Sequence, residues 1–260
     1  LLGYWRNDGV TTWKNRADNY ASFDGVDDVI TRDAINVDYK SVSLWVKPNT
    51  TITSASSGTE IMSFGSWTYS SVCLASATGD FTNELVTLTD NLGTVRKTGW
   101  VPTGGETIPS GSWTHLAFVW DGSKYVIYYN GQPQTVTASS NGHQELSVNK
   151  NIRLGTGGTG STSFLNGGLT GVSFWNKSLT DAQILSLYNN GRYSNVDTDF
   201  NDNLITYLAF GSSDATSGVK DTSSTIYDRS GNANHGTVSG TTIQSPPNAE
   251  PEGYDIESTT

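Results

Sequence analysis

Charge is scarce in this 260-residue chain: Asp, Glu, Lys and Arg make up 15% of it, against about 25% in an average soluble domain. Basic residues are the scarcer sign, 15 against 25 acidic ones, for a net charge of −10. A surface that grips phosphate needs the opposite balance, which excludes nucleic acid as a partner. Neutral glycans, cations and plain solubility all suit an acidic surface. Cysteine is nearly absent as well. Cys73 alone forms no internal disulfide, no Cys/His zinc spacing exists, and stability must come from packing. Flanked by Val72 and Leu74, that thiol reads as an inert core group. No apolar run approaches the ~18 residues that cross a bilayer, which excludes membrane insertion through such a span. The chain begins at Leu1 without Met or a signal peptide, so it reads as a processed or excerpted piece of something longer.

Aromatics, by contrast, are plentiful: 8 Trp, 12 Tyr and 8 Phe, a content that a disordered chain lacks. Short runs of Val, Ile, Thr and aromatics alternate with Gly, Asn, Asp and Ser clusters, the texture of an all-β protein. Ser41–Lys47 puts Val42, Leu44 and Val46 on one face and Ser41, Ser43 and Lys47 on the other, with Trp45 breaking the polar side. Trp113–Trp120 is apolar on both faces except at Thr114 and His115, as a central strand is. Asp121-Gly122 turns it into Lys124–Tyr129, and Asn130-Gly131 makes the next hairpin turn. Further strands are expected at Tyr20–Phe23, Val29–Thr31, Glu60–Phe64, Ser71–Leu74, Leu85–Thr89, Asn151–Leu154, Gly171–Trp175 and Leu204–Phe210. Asn49–Gly58 and Gly99–Gly111 read as loops on one rim. One helix is expected over Thr180–Asn190, with a capping box of Thr180 and Gln183 and a closing Gly191. Segments near Leu2–Arg16 and Ile205–Arg229 echo each other, like related strands at the two ends of one domain. The tail from Ser245, with Pro246, Pro247 and Pro251 among acids, reads as an extended arm.

Four ordered segments carry a resemblance. They are Ser22–Ile30 (SFDGVDDVI), Ser41–Lys47, Trp113–Gln132 and Gly168–Gly191. Together they resemble the laminin-G-like, pentraxin-type branch of the concanavalin A-like lectin/glucanase superfamily. The flanks, GYWRNDGVTTW and LITYLAF followed by IYDRSGNANHGTV, resemble LamG-like domains in structural proteins of tailed phages. The resemblance implies a two-sheet antiparallel β-sandwich, a concanavalin A-like jelly roll with one short helix. The domain is expected over 1–244, with 1–20 and 204–240 closing the same sandwich and 245–260 as the tail.

Enzymes of this superfamily that cut glycans carry Glu-x-Asp-x-x-Glu, a carboxylate pair set to protonate and to attack. No such motif occurs here, and Glu60, Glu84, Glu106 and Glu145 each stand without a second acid two or four residues away on a strand face. The chain is expected not to be an enzyme. His115 reads as a packed core histidine, and Gly155–Gly160 matches G-x-G-x-x-G without the helix that a nucleotide site needs. Asp24, Asp27 and Asp28 share one turn, and the resemblance implies a structural Ca2+ held by an acid of that turn. The same residues also suit an Asp-Gly turn that needs only its backbone satisfied. The acidic pair usual in the later family segment is replaced here by Thr170-Gly171. Asp197–Asp202 begins like a calcium loop but lacks its glycine and closing glutamate, and reads as a polar turn.

For glycan stacking the candidates are Trp67, Tyr69 and Trp100, set among Ser, Thr and Gly, together with Trp45. A sandwich of this size also uses Trp and Tyr in its core, where Trp5, Trp113, Trp120 and Trp175 are expected. The reading is a carbohydrate-binding or adhesion module of an extracellular or virion surface. The alternative is a structural virion protein whose partners are neighbouring subunits.

Overall fold

The computed structural model describes residues 19–53, 58–64, 70–76, 84–91, 95–138, 146–147, 150–157, 163–189, 196–211 and 221–244. Its elements begin with β1 (Tyr20–Asp24), β2 (Val29–Arg32), β3 (Asp38–Tyr39), β4 (Ser41–Pro48), β5 (Thr59–Phe64) and β6 (Ser70–Ser76). Next come β7 (Glu84–Asn91), β8 (Val95–Trp100), β9 (Thr114–Trp120), β10 (Tyr125–Tyr129), β11 (Gln132–Pro133), β12 (Val136–Ala138) and β13 (Leu146–Ser147). Then follow β14 (Ile152–Leu154), β15 (Asn166–Trp175), α1 (Asp181–Tyr188), α2 (Val196–Asp199) and β16 (Leu204–Leu208). The last are β17 (Thr225–Ile226), β18 (Gly236–Ser239) and β19 (Thr242–Gln244). No helix among the described residues is long and apolar enough to cross a membrane.

Local chemistry sets the central hairpins. Asp121 Oδ1 accepts from the backbone N–H of Ser123 (2.7 Å) and Lys124 (2.9 Å), closing the β9–β10 turn. Asn130 and Gly131 both take positive φ, 47° and 78°, as a two-residue primed turn requires. The sequence expected both turns.

Two large antiparallel sheets result, with β3 and β13 pairing separately as a two-stranded ribbon. The first runs β11-β10-β9-β4-β15-β1-β19, with β16 also on β15; the second runs β12-β8-β7-β6-β5-β14-β2-β18-β17. Between them lies the main core, in which Val42, Leu44, Val46, Leu116 and Phe118 meet Ile30, Ile61, Val72 and Val86, all fully buried. This is the expected jelly-roll sandwich.

Part of the outer face of the first sheet is buried too. Ala117, Val119, Tyr128, Trp175 and Tyr207 form a second cluster with Ile184 and Leu187 of α1. The alternation in β4 therefore separates two interiors rather than core from water. Ser41 and Ser43 lie inside, and Ser41 Oγ donates to the Lys177 carbonyl while accepting from Leu179 N–H.

Strand β15 organises the sheet. It pairs with β4 on one side; on the other, Asn166–Leu169 pairs with β1 and Val172–Trp175 with β16. The change of partner falls at Gly171, where φ is +60° and the register with β4 shifts as in a β-bulge. The late strands join both layers: β16 the first sheet, β17 and β18 the second, and β19 pairs with β1. Asp228 holds this segment in place. Its carboxylate accepts from the backbone N–H of Tyr207 (2.8 Å), Ser230 (2.9 Å) and Asn234 (2.9 Å).

Candidate functional site

The acidic turn sits where the chain leaves β1 in the first sheet for β2 in the second. Gly25 has φ +84°, Asp24 Oδ1 accepts from Val26 N–H (2.7 Å), and Asp28 Oδ2 accepts from Asp24 N–H (2.8 Å). Backbone satisfaction and a metal geometry coexist here. One carboxylate oxygen from each of Asp24, Asp27 and Asp28 lies within 4.8 Å of the others. Ligands on opposite sides of a calcium ion stand about 5 Å apart, since each Ca–O bond is ~2.4 Å. The donors are all hard oxygens, and the oxygens not held by backbone N–H groups are left for a cation. Asp28 is 6% exposed, and a Cβ on Gly240 would run into its carboxylate, so glycine at 240 makes its room. Burial pushes the Asp28 carboxyl above the usual carboxylate range; the Asp24 N–H opposes this, and the charges of Asp24 and Asp27 add to it. The set fits a divalent cation. Thr170-Gly171, in place of the family's acidic pair, serves the β15 bulge: Gly171 supplies the positive φ there.

Of the sequence-predicted stacking residues, the two described ones lie in different sheets, Trp45 in β4 and Trp100 in β8. Trp45 is 6% exposed, stacked on Tyr188 at 5.8 Å and 5.0 Å from His115. Trp100 is 3% exposed and packs on Tyr129 at 5.0 Å. Neither ring offers a face to a sugar. Among the neighbours that singled them out, Ser41 and Ser43 beside Trp45 and Thr98 beside Trp100 are themselves buried, while Thr103 is exposed. Trp67 and Tyr69 lie outside the described residues, as does Trp5.

Trp113 corrects the expectation in the other direction. Expected in the core, it is half-buried, edge-on to half-buried Tyr20 with ring centroids 5.4 Å apart and planes at 76°. Lys47 Nζ stands 4.0 Å from the Tyr20 ring centre and 5.0 Å from that of Trp113. Gly168 lies beneath the pair: a Cβ there would sit 2.7 Å from the Tyr20 ring and 3.1 Å from that of Trp113. Two aromatic rings, a cation and a glycine gap thus share one patch of the first sheet. Trp113 immediately precedes β9, after the turn residues Pro109-Ser110-Gly111-Ser112, and nothing adjacent to it in the sequence places it beside Tyr20. Trp120 is half-buried against the core, and Trp175 is fully buried as expected.

Other chemistry-bearing residues turn out structural. His115 is fully buried, as expected; its Nε2 lies 2.9 Å from Ser43 Oγ, and burial lowers its pKa to about 3. That Ser–His contact is sealed under Trp45 and Tyr188. Gly155 has φ +88° and lies against the Phe23 ring, so its lack of a side chain admits an aromatic rather than a phosphate. Val196–Asp199 forms a short helical turn, and Asp202 pairs with Lys177 rather than joining a calcium loop. Of Cys73 only the backbone, within β6, belongs to the described set.

A sequence profile described as the concanavalin A-like lectin/glucanases superfamily, of laminin-G type, matches residues 15–185. No curated protein matches the chain. Among solved structures, a candidate carbohydrate-binding protein from Bacteroides ovatus superposes with a TM-score of 0.60 at 17% identity, over 88% of this chain and 60% of that one. The chain therefore spans about three fifths of that relative's length. Domain 4 of an extracellular arabinanase from Geobacillus stearothermophilus, solved with arabinotriose, gives 0.48 at 22% identity over 65% of this chain and 76% of that one. A heptameric SAP-like pentraxin from Limulus polyphemus gives 0.42 at 18% over 66% and 82%.

Proposed function

Since the chain belongs to the concanavalin A-like lectin/glucanases superfamily, we propose that it is a non-enzymatic carbohydrate-binding module of an extracellular or virion surface. The observation that carries this reading is the Tyr20–Trp113 patch. Half-buried rings over a glycine give a C–H face of a pyranose something to stack on, and Lys47 supplies a donor for its hydroxyls. The Bacteroides ovatus protein of the same fold is likewise a candidate carbohydrate-binding protein. Trp67 and Tyr69 remain part of the proposal on their Ser, Thr and Gly surroundings in the sequence. A structural calcium at Asp24, Asp27 and Asp28 completes it, by neutralising three neighbouring acids at the crossing between sheets.

A glycan array read with and without EDTA tests the reading, followed by titration of the best sugar into Trp113→Ala and Gly168→Ala. Each substitution is expected to weaken binding about tenfold, ~1.4 kcal/mol, the first by removing a ring and the second by displacing both. Absence of binding to every glycan at millimolar concentration overturns the proposal.

A further inference from the structure

Beyond the end of β15 at Trp175, seven positions on from Gly168, an open cleft of about 440 Å³ lies between the segment before β3 and the start of β16. That volume falls within the ~300–1,000 Å³ of small-molecule sites. Five asparagines line it: Asn36, Asn176, Asn203, Asn232 and Asn234. Ile35 and Val37, half-buried against the main core, give it an apolar side. None of its lining side chains is ionisable, in a chain of net charge −10. That composition selects against phosphates, carboxylates and metal ions, each of which needs an opposite charge or a hard anionic donor.

Two of the amides are set in fixed directions. Asn232 Nδ2 donates to the carbonyls of Leu204 (2.9 Å) and Ile205 (3.1 Å), and Asn234 Nδ2 donates to Ile205 (2.7 Å). The Asp228 carboxylate grips the backbone of this same turn. With the nitrogen ends tied down, each Oδ1 points a fixed acceptor, and no donor among the described residues reaches it. Asn203 is held at φ +61°, a left-handed conformation that asparagine tolerates better than most side chains. Its Nδ2 donates to Asp202 Oδ1 (2.7 Å). A preorganised amide presents an acceptor without losing rotamer entropy on binding, and the amides of Asn36 and Asn176 beside it offer donor and acceptor together.

We infer that this cleft is a second saccharide subsite, for a neutral, uncharged sugar held by amide–hydroxyl hydrogen bonds beside an aliphatic wall. The inference rests on the carbohydrate-binding reading and places a second contact at the far end of β15 from Tyr20 and Trp113.

The test is to titrate the full chain with neutral trisaccharides of glucose, galactose, mannose, xylose and arabinose at millimolar concentration. Binding is followed through the side-chain NH2 signals of the asparagines and the Trp113 indole N–H. The variant is the double substitution Asn36→Ala with Asn176→Ala. Asn36 contributes no hydrogen bond to the described fold, and Asn176 contributes only its backbone N–H to Asn203 (3.1 Å). The expected result is that one sugar shifts the asparagine signals and that the double variant weakens this at least tenfold, leaving the Trp113 response intact. A sugar that binds the wild type and the double variant equally, without moving the asparagine signals, overturns the subsite and leaves the carbohydrate-binding reading standing. No response to any sugar overturns both.

Discussion

His115 lies fully buried, 2.9 Å from Ser43 Oγ and beneath Trp45, with its pKa lowered to about 3 by burial. In the unfolded chain its pKa is about 6.5. Between those values the unfolded state binds a proton that the folded state refuses, so stability is full above pH 6.5 and falls as pH drops towards 3. Urea unfolding is expected to show a loss on the order of a few kcal/mol over that window. In His115→Gln the neutral-pH stability should drop, while the slope between pH 6.5 and 4.5 largely disappears. An unchanged slope would assign the acid sensitivity to other groups. Asp28 has the opposite sign: its raised pKa favours the protonated form in the fold, so its contribution is present below 3.8 and lost as pH rises through the folded value.

At the scale of elements, α1 shows how short-range chemistry and distant packing divide the work. Thr180 Oγ1 accepts from Gln183 N–H, and the Gln183 side chain accepts from Thr180 N–H, closing the capping box expected from residue spacing alone. The helix ends at Asn189 in a left-handed conformation, φ +46°. Thr180→Ala should cost about 1 kcal/mol and lower Tm by about 2–4 °C, measured by calorimetry; Thr180→Ser should restore most of it. The hairpin turns at Asp121-Gly122 and Asn130-Gly131 were legible for the same reason, since a few adjacent residues decide them. The partner change along β15 was not. Gly171 reads locally as a strand residue, and only the placement of β1 and β16 on the same side shows that a bulge is required.

Over the whole molecule, the acidic turn joins the two sheets, because β1 lies in the first and β2 in the second. A cation bound there acts on the packing of both layers. Calcium is expected to raise Tm by several degrees, about 2.7 kcal/mol at a hundredfold excess over Kd, and EDTA to reverse it. Asp28→Asn keeps an acceptor for Asp24 N–H while removing the repelling charge. It should raise Tm in EDTA by about 2 °C and abolish the calcium response. No shift with calcium in the wild type removes the site.

The sequence alone determined the all-β texture, the hairpins, the capped helix and the acidic turn, since each is written in residues that are neighbours along the chain. It could not determine which aromatic side chains face water. Trp45 sits on a face that alternation marks as polar, yet α1, more than 130 residues later, covers it. Trp113 follows a loop and opens an apolar strand, yet it stands half-exposed beside Tyr20 because β1, β4 and β15 place Tyr20, Lys47 and Gly168 together. The asparagine cleft likewise draws on residues from 35 to 234. Exposure depends on what packs from elsewhere in the chain, and only the tertiary structure decides that.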